Sequence, residues 1–341
     1  MKMSSIKSLL PVRVLVDTGG SGTNGRMIFS PGKAKTAVVL YEDAPPEIHD
    51  FGKAELLGNR MQGHMCVLDE TTKVTRRDGQ PLGFRDPAGC AAYRPGKDEL
   101  AIVFRTPGEE THDSNVWRLN PSTGQSLPSI YFDNPSALAY SSDGELMAVG
   151  GASGMVTVFR LEPNGDAVEL RTVPVAGGVR NLVFEELNHQ LYVANENNML
   201  VSFYYDVEDD VPVQRGVDVE GEDRIDNMCL KALAYSSGSN LLATAGIGKE
   251  VWVSNPLKEQ GRMIKLRKAT RISALQFDEK SDTLVVLADS GVELVKFALD
   301  SEHLPVFEPR TTTFSSIINL VGCHHYGDFL FIGSLLSEPL G

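Results

Sequence analysis

From about residue 88 to residue 300 the chain alternates short apolar runs with polar, small-residue breaks. The segment "SALAYSSDGELMAVGGASGMVTVFRLEPNGD" (136–166) displays the unit. An apolar run ends in an aromatic, a polar turn follows, then a second apolar run, a small-residue turn and a third run. The same order recurs in "KALAYSSGSNLLATAGIGKEVWVSNPLKEQG" (231–261), "SALQFDEKSDTLVVLADSGVELVKFALD" (273–300) and "NLVFEELNHQLYVANENNMLVSFYYDV" (181–207). The stretch 90–124, from "CAAY" to "PSTG", follows it too. Val, Leu, Ala and aromatics fill the runs, and Gly, Asp, Asn, Ser and Pro bound them, which predicts β-strands and turns. "SSDGE" and "PNGD" are hairpin-type turns in which Gly supplies a positive φ. No apolar stripe of helical period interrupts the series.

The aromatic that closes each first run is Tyr93, Tyr140, Phe184, Tyr235 or Phe277, with spacings of 47, 44, 51 and 42 residues. A period of roughly 40–50 residues is that of propeller blades. Phe29 in "MIFSPGKAKTAVVLYED" and the region of Val321 extend the series to seven units. The prediction is an all-β chain: a single seven-bladed β-propeller of four-stranded antiparallel blades. Blades begin near 25, 87, 134, 179, 229, 271 and 315; residues 1–11 form a flexible N-terminus and 12–341 one propeller domain. The gap from Phe29 to Tyr93 is too long for one plain blade. The excess is expected as a loop insertion at about 43–62, before a strand "HMCVLDE". One blade cannot bury both faces of its sheet, whereas a ring buries each face against the next. The last unit lacks strands, and "VRVLVD" (12–17) is expected to return as its outer strand and close the ring.

With these residues the chain resembles the WD-repeat propeller family, over most of 25–335 and best over 134–298. "LMAVGGASGMVTVFRLE" and "LLATAGIGKEVWVSNP" look like that family's second strand, turn and third strand. The Trp-Asp dipeptide that ends the third strand is nowhere intact. Trp117-Arg118, Phe159-Arg160, Tyr204-Tyr205, Val253-Ser254 and Phe297-Ala298 stand in its places, and the Gly-His that opens typical blades is missing. The resemblance therefore implies degenerate blades without the polar network that rigidifies many relatives. It also implies a rigid, non-catalytic platform for protein partners within a larger intracellular complex, cytoplasmic or nuclear. Lactonase-like enzymatic propellers are a rival, since they share the blade count and carry metal-binding residues in the channel. Asn134, Asn181, Asn227 and Asp86 near the starts of first strands are the residues that reading would use; turn capping is the plainer account.

Composition narrows the classes further. Of 341 residues, 42% are hydrophobic and 23% charged, enough for a sizeable core. The net charge of −13 opposes wholesale binding to a nucleic-acid backbone. Cys66, Cys90, Cys229 and Cys323 are far apart, which predicts reduced thiols rather than a disulfide framework or a zinc site. The start "MKMSSIKSLLP" holds too short an apolar core for a secretory signal, and no apolar run is long enough to span a membrane.

Candidate chemistry is sparse. "VLVDTGGSGTNG" (14–25) delivers Asp17-Thr18-Gly19 into a Gly-rich turn, and Asp289-Ser290-Gly291 is a second such triplet. Two such turns sharing a proton would make an aspartic protease. The repeat, however, places Asp289 in an ordinary turn between a second and a third strand. A phosphate-binding turn of the sugar-kinase kind would need a helix-rich unit after residue 25, and none follows. No catalytic, cofactor or metal residues are assigned. Among the histidines (His49, His64, His112, His189, His303, His324 and His325) only the last two are neighbours, and neighbours on a strand point to opposite faces. "THDS" (111–114) has the composition of a Ser/His/Asp set but no nucleophile elbow. "GRMIKLRKATR" is the densest basic run, with Arg262, Lys265, Arg267, Lys268 and Arg271 between a third strand and the next first strand. These five residues are the candidate partner contacts, toward an acidic protein segment first and RNA second. An acidic stretch at 207–226 lies in a long connection between blades.

Overall fold

A computed structural model describes residues 10–17, 25–29, 36–41, 47–50, 55–56, 73–75, 80–81, 88–104, 115–206, 212–215, 230–256, 260–266, 271–278, 282–288, 291–307, 311–315, 320–326 and 329–336. Among them there is no helix, and the strands fall into seven sheets. The first strand, β1 (Leu10–Asp17), pairs with strands from the other end of the chain. Sheet one contains β2 (Gly25–Phe29), β3 (Thr36–Tyr41), β4 (Glu47–Asp50) and, beyond β5 (Glu55–Leu56) and β6 (Lys73–Thr75) in sequence, β7 (Gln80–Pro81). Sheet two is β8 (Ala88–Tyr93), β9 (Leu100–Phe104), β10 (Asn115–Leu119) and β11 (Ser126–Tyr131). Sheet three is β12 (Pro135–Tyr140), β13 (Leu146–Gly151), β14 (Met155–Leu161) and β15 (Ala167–Pro174). Sheet four is β16 (Val179–Glu185), β17 (Gln190–Asn195), β18 (Leu200–Tyr204) and β19 (Val213–Arg215). Sheet five is β20 (Leu230–Ser236), β21 (Leu241–Gly246), β22 (Glu250–Asn255) and β23 (Gln260–Lys265). Sheet six is β24 (Ile272–Asp278), β25 (Thr283–Ala288) and β26 (Gly291–Leu299), with both β27 (Pro305–Phe307) and β28 (Thr311–Ser315) on β26. Sheet seven joins β29 (Leu320–Tyr326) and β30 (Phe329–Leu336) to β1, β6 and β5.

Sheets one to five are antiparallel meanders of four strands. First strands of neighbouring sheets lie side by side. β8 neighbours β12, β12 neighbours β16, and β16, β20, β24 and β29 continue the order until β29 meets β2 and β2 meets β8. Second strands are therefore enclosed on both faces. Every residue of β17 (QLYVAN), β21 (LLATAG) and β25 (TLVVLA) is buried. This is why these strands read as continuous apolar runs rather than as alternating ones. The fourth strand β15 is mostly exposed.

Apolar layers fill the seams. Ala148, Val156 and Val158 of sheet three pack with Leu182, Leu191 and Phe203 of sheet four. Leu241, Val251 and Ile264 of sheet five pack with Ile272, Leu284 and Val286 of sheet six. Each of these Val, Leu, Ile and Phe side chains contributes about 1.5–3 kcal/mol of transfer free energy when fully buried. Gly150 of β13 shows how closely the sheets approach, since a Cβ there would sit 2.4 Å from Val179 Cγ1 of the next sheet.

Six sheets share a device invisible in the repeat pattern. The pairing of first and second strand slips by one residue at the second position of β8, β12, β16, β20, β24 and β29. Such a bulge bends the strand and sharpens its twist. In β12 the slipped residue is Ser136, whose hydroxyl donates to the carbonyl of Gly150 (3.2 Å) and to that of Val179 in sheet four (2.7 Å).

Two expectations change. β1 is not the outer strand of the last sheet: it lies third, parallel to β30 on one side and to β6 on the other. The outer positions belong to β6 and β5, which come from the long stretch after sheet one. For the same reason residues 43–62 are not wholly a loop, because β4 and β5 lie within them. The "HMCVLDE" stretch (64–70) lies outside the described residues.

Candidate functional site

Of the five basic residues expected to contact a partner, Arg262, Lys265 and Arg271 are described and all three are exposed; Arg267 and Lys268 lie outside the described residues. Arg262 and Lys265 belong to β23, the fourth strand of sheet five. Arg262 stands opposite Val253 and Lys265 opposite Glu250, in an unbroken register. Three residues apart on such a strand, they leave on opposite faces. Arg262 faces sheet six and donates to Asp300 Oδ2 (2.7 Å). Arg271 precedes β24 and bridges to Ile247. The described part of the run is thus divided between two faces and two sheets.

A second constellation was not foreseen. At the seam of sheets two and three, Glu99 is buried between two guanidinium groups and a phenol. Arg118 Nε donates to Glu99 Oε1 (2.6 Å), Arg94 Nη1 to Oε2 (2.9 Å), and the Tyr140 hydroxyl to Oε1 (3.1 Å). Arg94 Nε also donates to the carbonyl of Gly144 (2.6 Å), and Arg118 Nη1 to that of Gly165 (2.6 Å), both in turns of sheet three. Burial pushes the Glu99 carboxyl up, but the hydrogen bonds and charges of Arg118 and Arg94 outweigh it, and the net shift is downward. Burial and the neighbouring Glu99 charge push the Tyr140 phenol up, so it stays a donor. Arg118 Nη2 is buried without a protein acceptor among the described residues. The expectation that these blades lack a buried polar network is therefore corrected. Arg118 lies on β10 beside Trp117, and Glu99 directly precedes β9, the strand paired with β10. An arginine within an apolar strand run was the available signal.

The seam of sheets four and five repeats the theme without a cation. Glu185 is 0% exposed at the end of β16. It accepts from the Tyr235 hydroxyl (2.9 Å) and from the backbone N–H of Asn188 (3.1 Å). In both seams a tyrosine ending one first strand meets a carboxylate of the preceding sheet. Phe184 and Phe277, which have no hydroxyl, stand next to last in their first strands and pack into apolar seams instead.

The turns beside these latches form one acidic district. Ser142, in the β12–β13 turn, donates its backbone N–H and its hydroxyl to Glu186 in the β16–β17 turn. His189 Nδ1 lies 2.7 Å from Asp206 Oδ2, and its ring stacks on Tyr205 at 5.7 Å. Burial, then Glu186, Asp206, Glu185 and Asp143, push the Tyr205 phenol up to about 12.

The remaining candidates are spent locally or lie outside the described residues. Asn134 takes φ 48° before β12, and its backbone carbonyl accepts the N–H of Ala152 (2.9 Å). Asn181 Oδ1 accepts the N–H of Leu182 (2.8 Å). Asn227, Asp86 and the "THDS" stretch lie outside the description. So do residues 18–24 of the opening turn and Asp289-Ser290, although the latter fall between antiparallel β25 and β26. Cys90 is half-buried against the apolar cluster between sheets two and three. Among the described residues no three His, Cys, Asp or Glu side chains are grouped to hold a metal ion. No described helix is long and apolar enough to cross a membrane.

No protein-family model matches the chain, and no curated protein matches it either. A solved structure does: the β-propeller domain of Cps50 (Swd1) from Myceliophteria thermophila, with a TM-score of 0.54 and 13% identity, over 68% of this chain and 74% of that one. At that identity the likeness establishes the fold alone, an all-β propeller.

Proposed function

We propose that the chain is a non-catalytic scaffold for protein partners in an intracellular complex. Its seven sheets act as degenerate WD-repeat-like blades of one ring, which closes through the sheet shared by both ends of the chain. The observation that carries this reading is the chemistry of the rim. Tyr131 of β11, Val168 and Leu170 of β15, Val213 of β19 and Val306 of β27 are large apolar side chains exposed on fourth strands, Tyr131 to 74%. Apolar and aromatic anchors on a pre-ordered frame bind at low entropic cost. The frame is stiffened by the two tyrosine–carboxylate latches and by Arg171, which donates to the carbonyl of Tyr204 and lies over the Phe203 ring at 5.4 Å. The basic run 262–271 is a second proposed contact.

Affinity purification from native cells, followed by mass spectrometry, tests the reading. A stoichiometric protein companion is expected, with its recovery lowered at least about tenfold by Tyr131→Ala combined with Val168→Asp. Reversing Arg267 and Lys268 to Glu tests the basic run in the same assay. Recovery of the chain alone, together with a chelator-sensitive thermal shift, would overturn the scaffold in favour of a metal-dependent enzyme.

A further inference from the structure

The β12–β13 turn reads Ser141-Ser142-Asp143-Gly144-Glu145. The two serines occupy opposite environments. Ser141 is buried; its hydroxyl donates to Asp143 Oδ1 (2.6 Å) and accepts the N–H of Leu146 (2.9 Å). Ser142 is exposed, and its hydroxyl and backbone N–H both reach across to Glu186 of sheet four. Asp143 and Glu145, one and three positions further on, are exposed as well. The corresponding turn of sheet five, Ser236-Ser237-Gly238-Ser239-Asn240, keeps the paired serines and has none of the acids.

We propose that Ser142 is a phosphoacceptor for an acid-directed serine/threonine kinase, and that phosphorylation parts the turns of sheets three and four. Ser142 Oγ attacks the γ-phosphorus of ATP and its proton passes to the kinase's base. The bond from that phosphorus to the β,γ-bridging oxygen breaks, and ADP leaves. Exposed carboxylates at the first and third following positions are the charges that the basic substrate groove of such a kinase recognises. Burial of Ser141 directs the reaction to its neighbour.

The product reverses the local electrostatics. A hydroxyl that donates to a carboxylate becomes a group of about −1.5 to −2 charge, and a phosphate set beside Asp or Glu disrupts by like-charge repulsion. Glu186 faces it directly from sheet four, and Asp143 and Glu145 flank it on its own turn. Asp206, which shares the district around Tyr205, adds to the field. Parting these turns exposes the seam between the two sheets without touching the apolar layer beneath. The proposal stands independently of the scaffold reading.

The full chain, casein kinase II and ATP suffice for the test. Peptide mapping should place phosphate on Ser142, with none on that peptide in Ser142→Ala and incorporation about tenfold slower in Glu145→Gln. Hydrogen exchange should quicken in the phosphorylated chain at the Ser142 amide and across residues 186–189. Matching thermal unfolding of wild type and Ser142→Ala checks that the fold is intact. No incorporation into the wild-type native chain, or incorporation elsewhere alone, overturns the acceptor site. Phosphate on Ser142 with unchanged exchange overturns the release.

Discussion

Glu99 is a carboxylate whose removal leaves two buried guanidinium groups without their counter-charge. Breaking a buried ion pair from one side typically costs 3–5 kcal/mol. Glu99→Gln, equal in shape, should therefore destabilise the chain by about 3 kcal/mol at pH 7, read as a lower urea midpoint. The pH dependence has a defined sign. The folded-state pKa lies below the ordinary 4.5, so the stabilisation is fully present above that value and is lost as pH falls through the lowered one. The gap between wild type and variant should narrow as pH falls below 4.5 and close once the lowered folded-state value is passed, and a gap that widened on acidification would contradict the latch. Sequence reasoning reached Trp117-Arg118 as a departure from Trp-Asp but not the partner. Glu99 and Arg118 meet through the pairing of β9 and β10, and no local spacing encodes that.

The strand elements were the most legible level. Tyr140, Phe184 and Tyr235 end or nearly end their first strands, and the buried runs "LLATAG" and "TLVVLA" are β21 and β25. Burial on both faces prints itself as an uninterrupted apolar run. Fourth strands print weakly because they are half solvated: β19 and β27 are three residues each. The shared bulge left no common trace, since Gly89, Ser136, Arg180, Lys231, Ser273 and Val321 share no one residue type, although Ser136 and Ser273 both donate to a second-strand carbonyl. Close approach between elements gives a direct test. Gly150→Val would drive carbons into Val179, while its backbone conformation tolerates a side chain. A loss of about 1–3 kcal/mol is expected from overpacking, measured by chemical denaturation. A neutral outcome would mean that the β13–β16 approach is looser than described.

At the scale of the molecule, the side-by-side order of first strands follows from sheets that each need a neighbour on both faces. The sequence showed that need through its period, but the composition of sheet seven was beyond its reach. Pairing β1 with β30, and the short polar strands β6 and β5 beyond it, joins distant segments that no local pattern links. Deleting residues 1–17 should expose the edge of β30 and lower the melting temperature, with oligomers appearing on size exclusion because an open edge recruits other chains. A monomeric, equally stable deletion would show that sheet seven does not depend on β1. The register of that pair, Leu10 beside Phe329, also sets a timetable. On the ribosome β1 emerges about 320 residues before its mate. Through that interval it is a bare apolar strand awaiting its berth, and chaperone occupancy is expected there.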